Sequence, residues 1–169
     1  YRGLEAHALN GLGVVLAVKG EYEDAIAVIR SSISVDREIG ERLYLGRKLS
    51  NIGQLYKELG DVDRCIEFLG HALKVFEHVH DDLALADALN SLAEVVLEER
   101  EDVDRASVHL DRARVISQRT QDPYDSSRER IMRAAIHRQA GEFDEAELCC
   151  REGWEIAREA GIVSQGLQA

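Results

Sequence analysis

Four side chains near the middle of the chain could bind a metal ion. His78, His80, Asp81 and Asp82 lie within five positions, and imidazole and carboxylate groups are common zinc ligands. The alternative is a polar helix end, where the negative end of the helix dipole favours histidine. The pattern favours this alternative, so we predict no metal site and no cofactor.

The cysteines are the other reactive groups. The chain has three, Cys65, Cys149 and Cys150, and a disulfide between adjacent cysteines in a helix would be strained. A helical cysteine at a core position usually acts as a small apolar side chain, so we predict reduced thiols and a cytoplasmic protein. The sequence also lacks serine-hydrolase, P-loop, zinc-peptidase and paired C-x-x-C patterns. We therefore predict no catalytic residue and no enzymatic activity.

Charge and composition disfavour some classes of partner and indicate the fold class. The formal net charge of −11 disfavours nucleic acid and acidic membranes, because phosphate binding requires concentrated Lys and Arg. No apolar run approaches the roughly 18 residues of a membrane span. A single proline and abundant helix formers predict an all-α fold. The first residue is Tyr1 rather than Met, which suggests a piece of a longer protein.

The elements that must position any binding residue are repeated along the chain. A six-residue turn motif occurs at 20–25, 60–65, 101–106 and 141–146. It starts with glycine, or with Glu101 in the third copy, continues with an acidic residue and then Val or an aromatic residue, and ends with Ala or Cys. An apolar series with one small residue precedes it with a strict period of 40: Leu9, Leu12, Gly13 and Leu16; Leu49, Ile52, Gly53 and Tyr56; Leu89, Leu92, Ala93 and Val96. Such a period is typical of helical repeat proteins.

Each copy predicts a pair of helices. Apolar spacings of three and four place the series on one face of a first helix, and a turn glycine with positive φ ends that helix. The acidic residue then favours the start of a second helix. The predicted spans are 3–18, 22–38, 42–58, 62–79, 82–99, 103–118, 124–139 and 143–159.

This combination of motifs resembles the tetratricopeptide repeat (TPR) family over essentially the whole chain. The period of about 40 is similar to the branch in Pins-type adaptors, kinesin light chains and bacterial TPR regulators. The resemblance implies an α-solenoid of four TPR-like helix-turn-helix repeats in a right-handed superhelix, with the first helices lining a concave surface. We predict one domain, 1–169, with repeats near 3–40, 41–80, 81–120 and 121–160 and a short tail, 161–169.

Two repeats depart from the pattern. Repeat 3 replaces the turn glycine with Glu101 and carries one extra residue. Repeat 4 has Glu129 and Arg133 where apolar and small residues are expected. The first helix of repeat 4 could therefore be rotated, which would make this repeat a cap or an interface element.

In the family's frame, the first-helix positions that point away from the core form a peptide-binding surface. Asn amides recur there and can donate to and accept from a peptide backbone, although they could equally bond between helices. The candidate residues are His7, Asn10, Val14, Arg47, Asn51, Gln54, Lys57, Asp87, Asn90 and Glu94, with Ala17, Val18, Ser91, Arg128 and Ile131 beside them.

The predicted function is that of a non-catalytic scaffold. It binds a peptide or partner domain through the concave surface, as part of a larger regulatory protein, and it does not bind nucleic acid or membrane. The alternative is a homo-oligomerisation module that pairs through an exposed solenoid end or the face of Trp154. We interpret Trp154 first as repeat packing, since a lone helical aromatic usually fills a core.

Overall fold

A computed structural model describes residues 1–41 and 44–162. Within these ranges the chain forms eight α-helices and no strand: α1 Arg2–Val18, α2 Tyr22–Ile39, α3 Leu45–Glu58, α4 Val62–Val79, α5 Asp82–Arg100, α6 Val103–Thr120, α7 Pro123–Ala140 and α8 Phe143–Glu159. The all-α prediction and the eight helices are confirmed. The α3 helix begins three residues later than predicted, after Tyr44. Residues 42–43 of that predicted span and 163–169 of the predicted tail lie outside the described residues.

The helices form two compact units. Unit 1 is Tyr1–His80 and unit 2 begins at Asp81. Each unit contains two hairpins of adjacent helices, α1–α2 and α3–α4 in unit 1, and α5–α6 and α7–α8 in unit 2. The division into a single four-repeat domain stays a prediction.

The repeated turns end each first helix through the left-handed backbone region. Gly20, Gly60 and Gly141 have φ between 73° and 80°, as the turn motif predicts. Glu101 adopts φ 53° at the same point, which costs a residue with a Cβ more than it costs glycine. The next residue, Asp102, offsets part of this cost because its carboxylate accepts a hydrogen bond from Arg105 N and caps α6.

Small residues allow the two helices of each hairpin to cross closely. A Cβ on Gly13 would lie 2.5 Å from Ile29 Cγ1 of α2, and a Cβ on Gly53 would lie 3.0 Å from Leu69 Cγ of α4. In the last hairpin, the buried Ala134 holds the corresponding position, because α7 starts 41 residues after α5, and a further close approach is made by Gly153 of α8. Its Cβ would lie 3.2 Å from Ser127 O and Arg130 Cβ of α7.

The departure in repeat 4 is resolved by an ion pair. Glu129 is buried at the core position predicted for an apolar residue, and it pairs with Arg133 Nε one turn later. Arg133 also donates to Asp111 of α6 at 2.8 Å. The predicted rotation of this helix also occurs. The N-caps of α5 and α7, Asp81 and Asp122, are 41 residues apart, and a shift of one residue turns a helix by about 100°. Ala134 rather than Arg133 therefore takes the small core position, and it is buried.

A second buried ion pair fixes α3 in unit 1. Lys48 and Asp36 are both nearly inaccessible, and Lys48 Nζ donates to the Asp36 carboxylate and to Ser32 Oγ at 2.7 Å. Ser32 Oγ in turn donates to Ala6 O of α1 at 2.6 Å. This network links three helices, and so it sets the position of α3 relative to α1, the two first helices of unit 1.

Candidate ligand-binding surfaces

The first helices of unit 1 enclose a groove. It has a volume of about 350 Å³ and is lined by Val14, Ala17, Val18, Tyr22, Ile29, Asn51, Gln54, Leu55 and Glu58. Ile29 and Leu55 are buried and form an apolar floor, whereas Val18 is 85% exposed at the edge. We call this feature the α1–α3 groove. Its volume suits one or two side chains of a ligand.

Several of the predicted binding residues meet in this groove. Val14, Asn51 and Gln54 line it together with the neighbouring positions Ala17 and Val18. The remaining unit 1 candidates, His7, Asn10, Arg47 and Lys57, lie on the same two helices outside its lining.

The unit 2 candidates form a different kind of site. Arg128 of α7 donates to Asp87 Oδ1 at 2.7 Å and to Glu94 Oε2 at 2.8 Å, both on α5. It also donates to Ser91 Oγ at 3.2 Å. These four side chains, the Arg128 cluster, hold α7 against α5, so their charges are already used inside the unit.

Asn90 has the second of the two roles predicted for the asparagines, a hydrogen bond between helices. Its side chain is fully buried, and Nδ2 lies 3.3 Å from both Asp125 O and Asp125 Oδ1. The amide therefore bonds between α5 and α7 and is not offered to a ligand. The difference from Asn51 is burial, because α7 covers this part of α5 whereas Asn51 remains exposed.

Asp125 is the acidic partner in this contact and has an altered proton affinity. Burial, with the neighbouring Asp87 carboxylate, raises the pKa of Asp125 to about 6. The unfolded chain releases this proton near pH 3.8, whereas the folded chain holds it up to about pH 6. The free energy of unfolding therefore falls as pH rises through this window and stays lower above it.

We expect Asp125→Asn to stabilise the protein at pH 7.5 by about 1–2 kcal/mol and to change it little at pH 4. Asparagine keeps the acceptor for Asn90 and removes the buried charge. Urea unfolding at the two pH values measures the difference. The matched control is Asp104→Asn, an exposed acid in the first turn of α6; a gain for Asp125→Asn that is equal at both pH values would contradict the assignment.

A second concave surface lies on the last hairpin. This α7–α8 pocket has a volume of about 520 Å³ and is lined mainly by apolar groups: Tyr124, Ser127, Arg128, Ile131, Cys150, Gly153, Trp154, Ala157 and Ile162. Trp154 is 43% exposed here, so it does not fill a core as first interpreted. Cys149 is buried, and burial raises the pKa of its thiol, which disfavours the reactive thiolate.

The residues considered for metal binding are arranged as a helix junction. His78 and His80 are exposed at the end of α4, and Asp81 caps α5 by accepting from Ala84 N at 3.1 Å. In the described parts of the chain, no three His, Cys, Asp or Glu side chains come together as metal ligands would. None of the described helices is long and apolar enough to cross a membrane.

The match to a known protein family covers four of these helices. Residues 44–119, which span α3 to α6, match the tetratricopeptide repeat model. The segment from α3 to α6 thus belongs to the tetratricopeptide repeat family. The pairs α3–α4 and α5–α6 are its two hairpins within the match, and this family generally serves as a scaffold for protein–protein interaction. No curated protein sequence matches the chain significantly.

Solved structures with the same fold include three TPR-like proteins. BtubC (BKLC) from P. vanneervenii is 22% identical with a TM-score of 0.82, covering 100% of this chain and 69% of that one. Aspartyl phosphate phosphatase F from Bacillus subtilis is 14% identical, with a TM-score of 0.87 over 96% of this chain and 43% of that one. RapI in its apo form is 15% identical, with a TM-score of 0.79 over 94% and 44%. The chain thus spans less than half of the latter two, and at these identities the likeness shows the fold.

Proposed function

We propose that this protein is a non-catalytic cytoplasmic scaffold that binds an extended segment of a partner protein in the α1–α3 groove. The observation that carries the proposal is the composition of that groove. Exposed apolar side chains of α1 face the amides of Asn51 and Gln54 on α3, above a floor of Ile29 and Leu55. The Lys48 network supports it by fixing α3 relative to α1 before a ligand arrives.

Each part of the groove has a role in holding a peptide. The floor and the valines would bury one aliphatic or aromatic ligand side chain, worth about 1.5–3 kcal/mol. The amides would donate to and accept from the ligand backbone, which gives affinity without requiring a particular sequence. Glu58 brings a carboxylate to the lining, so a basic ligand residue beside the apolar one is favoured.

Selection from a random peptide display library, with the whole chain as bait, tests this function. Selected peptides are expected to combine an apolar residue with a neighbouring Lys or Arg. The double variant Asn51→Ala/Gln54→Ala should bind them about tenfold to a hundredfold more weakly, because each lost hydrogen bond costs about 0.5–1.5 kcal/mol. Fluorescence anisotropy with a labelled peptide measures the affinity.

The matched control is Gln118→Ala/Gln139→Ala, which removes two exposed amides from α6 and α7. This control should bind as the wild type does. Equal affinity of the folded groove variant and the wild type, or a library that yields no binder, would count against the proposal.

A further inference from the structure

The outward side of α1 is apolar. Leu4, Leu12 and Val15 are between 49% and 70% exposed, and Ala8 is exposed with them. These four residues, the outer stripe, follow helical spacing and lie opposite the α1 face that buries Ala6 and Gly13. The groove residue Val14 points to another side, since adjacent residues on a helix differ in direction by about 100° and Val14 precedes Val15.

The repeat shows what kind of element covers this side of a first helix. Forty residues after Ala8, Leu12 and Val15, the same positions in α3 are held by Lys48, Ile52 and Leu55. All three are buried. Lys48 bonds to Asp36 and Ser32 of α2, so this side of α3 faces the second helix of the preceding hairpin. The outer stripe thus presents a surface that a preceding hairpin covers elsewhere in the chain.

The α7–α8 pocket presents the complementary surface, the one against which a following hairpin would pack. Within unit 2, Asp87 and Asn90 of α5 hold the next first helix, α7, through Arg128 and Asp125. The N-caps of α5 and α7, Asp81 and Asp122, are 41 residues apart. The counterparts of Asp87 and Asn90 in α7 are therefore Arg128 and Ile131, which both line the pocket. The pocket therefore lies where a further first helix would pack.

The two surfaces also match in chemistry. Inside unit 2, the contact between successive first helices is ionic, Arg128 with Asp87 and Glu94. The contact also includes the polar pair of Asn90 with Asp125. At the pocket the position of Asn90 is held by Ile131, and on α1 the position of Asp125 is held by Leu4. Both members of this pair are apolar, and Arg128, which lines the pocket, is already paired with Asp87 and Glu94, so docking leaves no buried unpaired charge there.

We propose that the outer stripe of one copy docks into the α7–α8 pocket of a second copy, head to tail. This interaction goes beyond peptide binding and uses different residues. Because the two surfaces differ, the interface is heterologous, and each added copy leaves one stripe and one pocket available. Association should therefore continue past the dimer as concentration rises.

Light scattering combined with the fluorescence of Trp154, the chain's only tryptophan, tests the docking. With the 169-residue chain, the mean mass should grow with concentration, and Trp154 emission should shift to shorter wavelength as the pocket is covered. Leu12→Asp removes the stripe and Ile131→Asp removes the pocket, so each variant alone should remain monomeric. Mixed one to one, they should form a dimer and no larger species, since only one functional stripe and one functional pocket can pair.

Val115→Asp, at an exposed apolar position of α6, is the matched control and should associate like the wild type. Circular dichroism establishes that each variant is folded. A wild type that stays monomeric with unchanged emission, or a mixture that fails to dimerise, would overturn the proposal. So would loss of association in Ile131→Asp but not Leu12→Asp, which would indicate that two pockets pair with each other. Asn51→Ala/Gln54→Ala should still associate, so failure of peptide binding and failure of docking are distinguishable.

Discussion

Replacing Asp36 with alanine is expected to lower the free energy of unfolding by about 3–5 kcal/mol. The substitution leaves the Lys48 ammonium without its carboxylate partner in a site that is 5% exposed, where it still donates to the neutral Ser32 Oγ. An uncompensated buried charge is among the most damaging single changes in a folded protein. Urea unfolding followed by helical circular dichroism measures the loss.

Two further variants test whether this loss of stability is caused by the unpaired buried charge. Asp36→Leu/Lys48→Met removes both charges together and should recover most of the stability, because apolar pairs of similar volume often replace buried ion pairs at little cost. Glu147→Ala breaks the exposed pair with Arg151 and should change stability by less than about 1 kcal/mol. Equal losses for Asp36→Ala and Glu147→Ala would show that the buried pair is not important for stability.

Two glycines on α1 should respond to alanine in opposite directions. A Cβ at Gly13 would lie 2.5 Å from Ile29 Cγ1 and 3.4 Å from the backbone oxygen of Ala25, and Ile29 is buried. We expect Gly13→Ala to cost about 1–3 kcal/mol through overpacking between α1 and α2. Gly11 has no atom within 4 Å of a built Cβ, so Gly11→Ala should stabilise the helix by about 0.5–1 kcal/mol.

The pair of variants controls for helix propensity, since both exchange the same residues in the same helix. Thermal unfolding of the two should move in opposite directions from the wild type. Gly13→Ala/Ile29→Ala removes the clashing atom, so its cost should be smaller than the sum of the two single changes. A stabilising Gly13→Ala would contradict the close helix crossing.

The helices were predictable because their signals are local and repeated. The turn glycines at 20, 60 and 141 and the series built around Gly13 and Gly53 define both the ends and the inner faces of the helices. The start of α3 was placed too early because no capping side chain marks it: Tyr44 makes no side-chain cap bond.

The polar contacts between helices were harder to predict, because they depend on which residues meet across a hairpin. Aligning the repeats does carry a signal for the buried ion pair: Lys48 stands where other copies have Ala8 and Ala88, and Asp36 stands where the next has Phe76. Two charges at apolar positions of neighbouring helices indicate a pair. Asn90 gives no such signal, since its burial depends on α7 rather than on its own helix.

Hydrogen exchange of the chain with and without a selected peptide tests the central claim, that the α1–α3 groove is the ligand site. The Ile131→Asp background removes self-association, so that protection of α1 reports on the peptide alone. The peptide should slow exchange in the C-terminal halves of α1 and α3, around Val14 and Gln54, and leave unit 2 unchanged. Protection confined to unit 2, or unchanged exchange in both helices at saturating peptide, would contradict the proposed function.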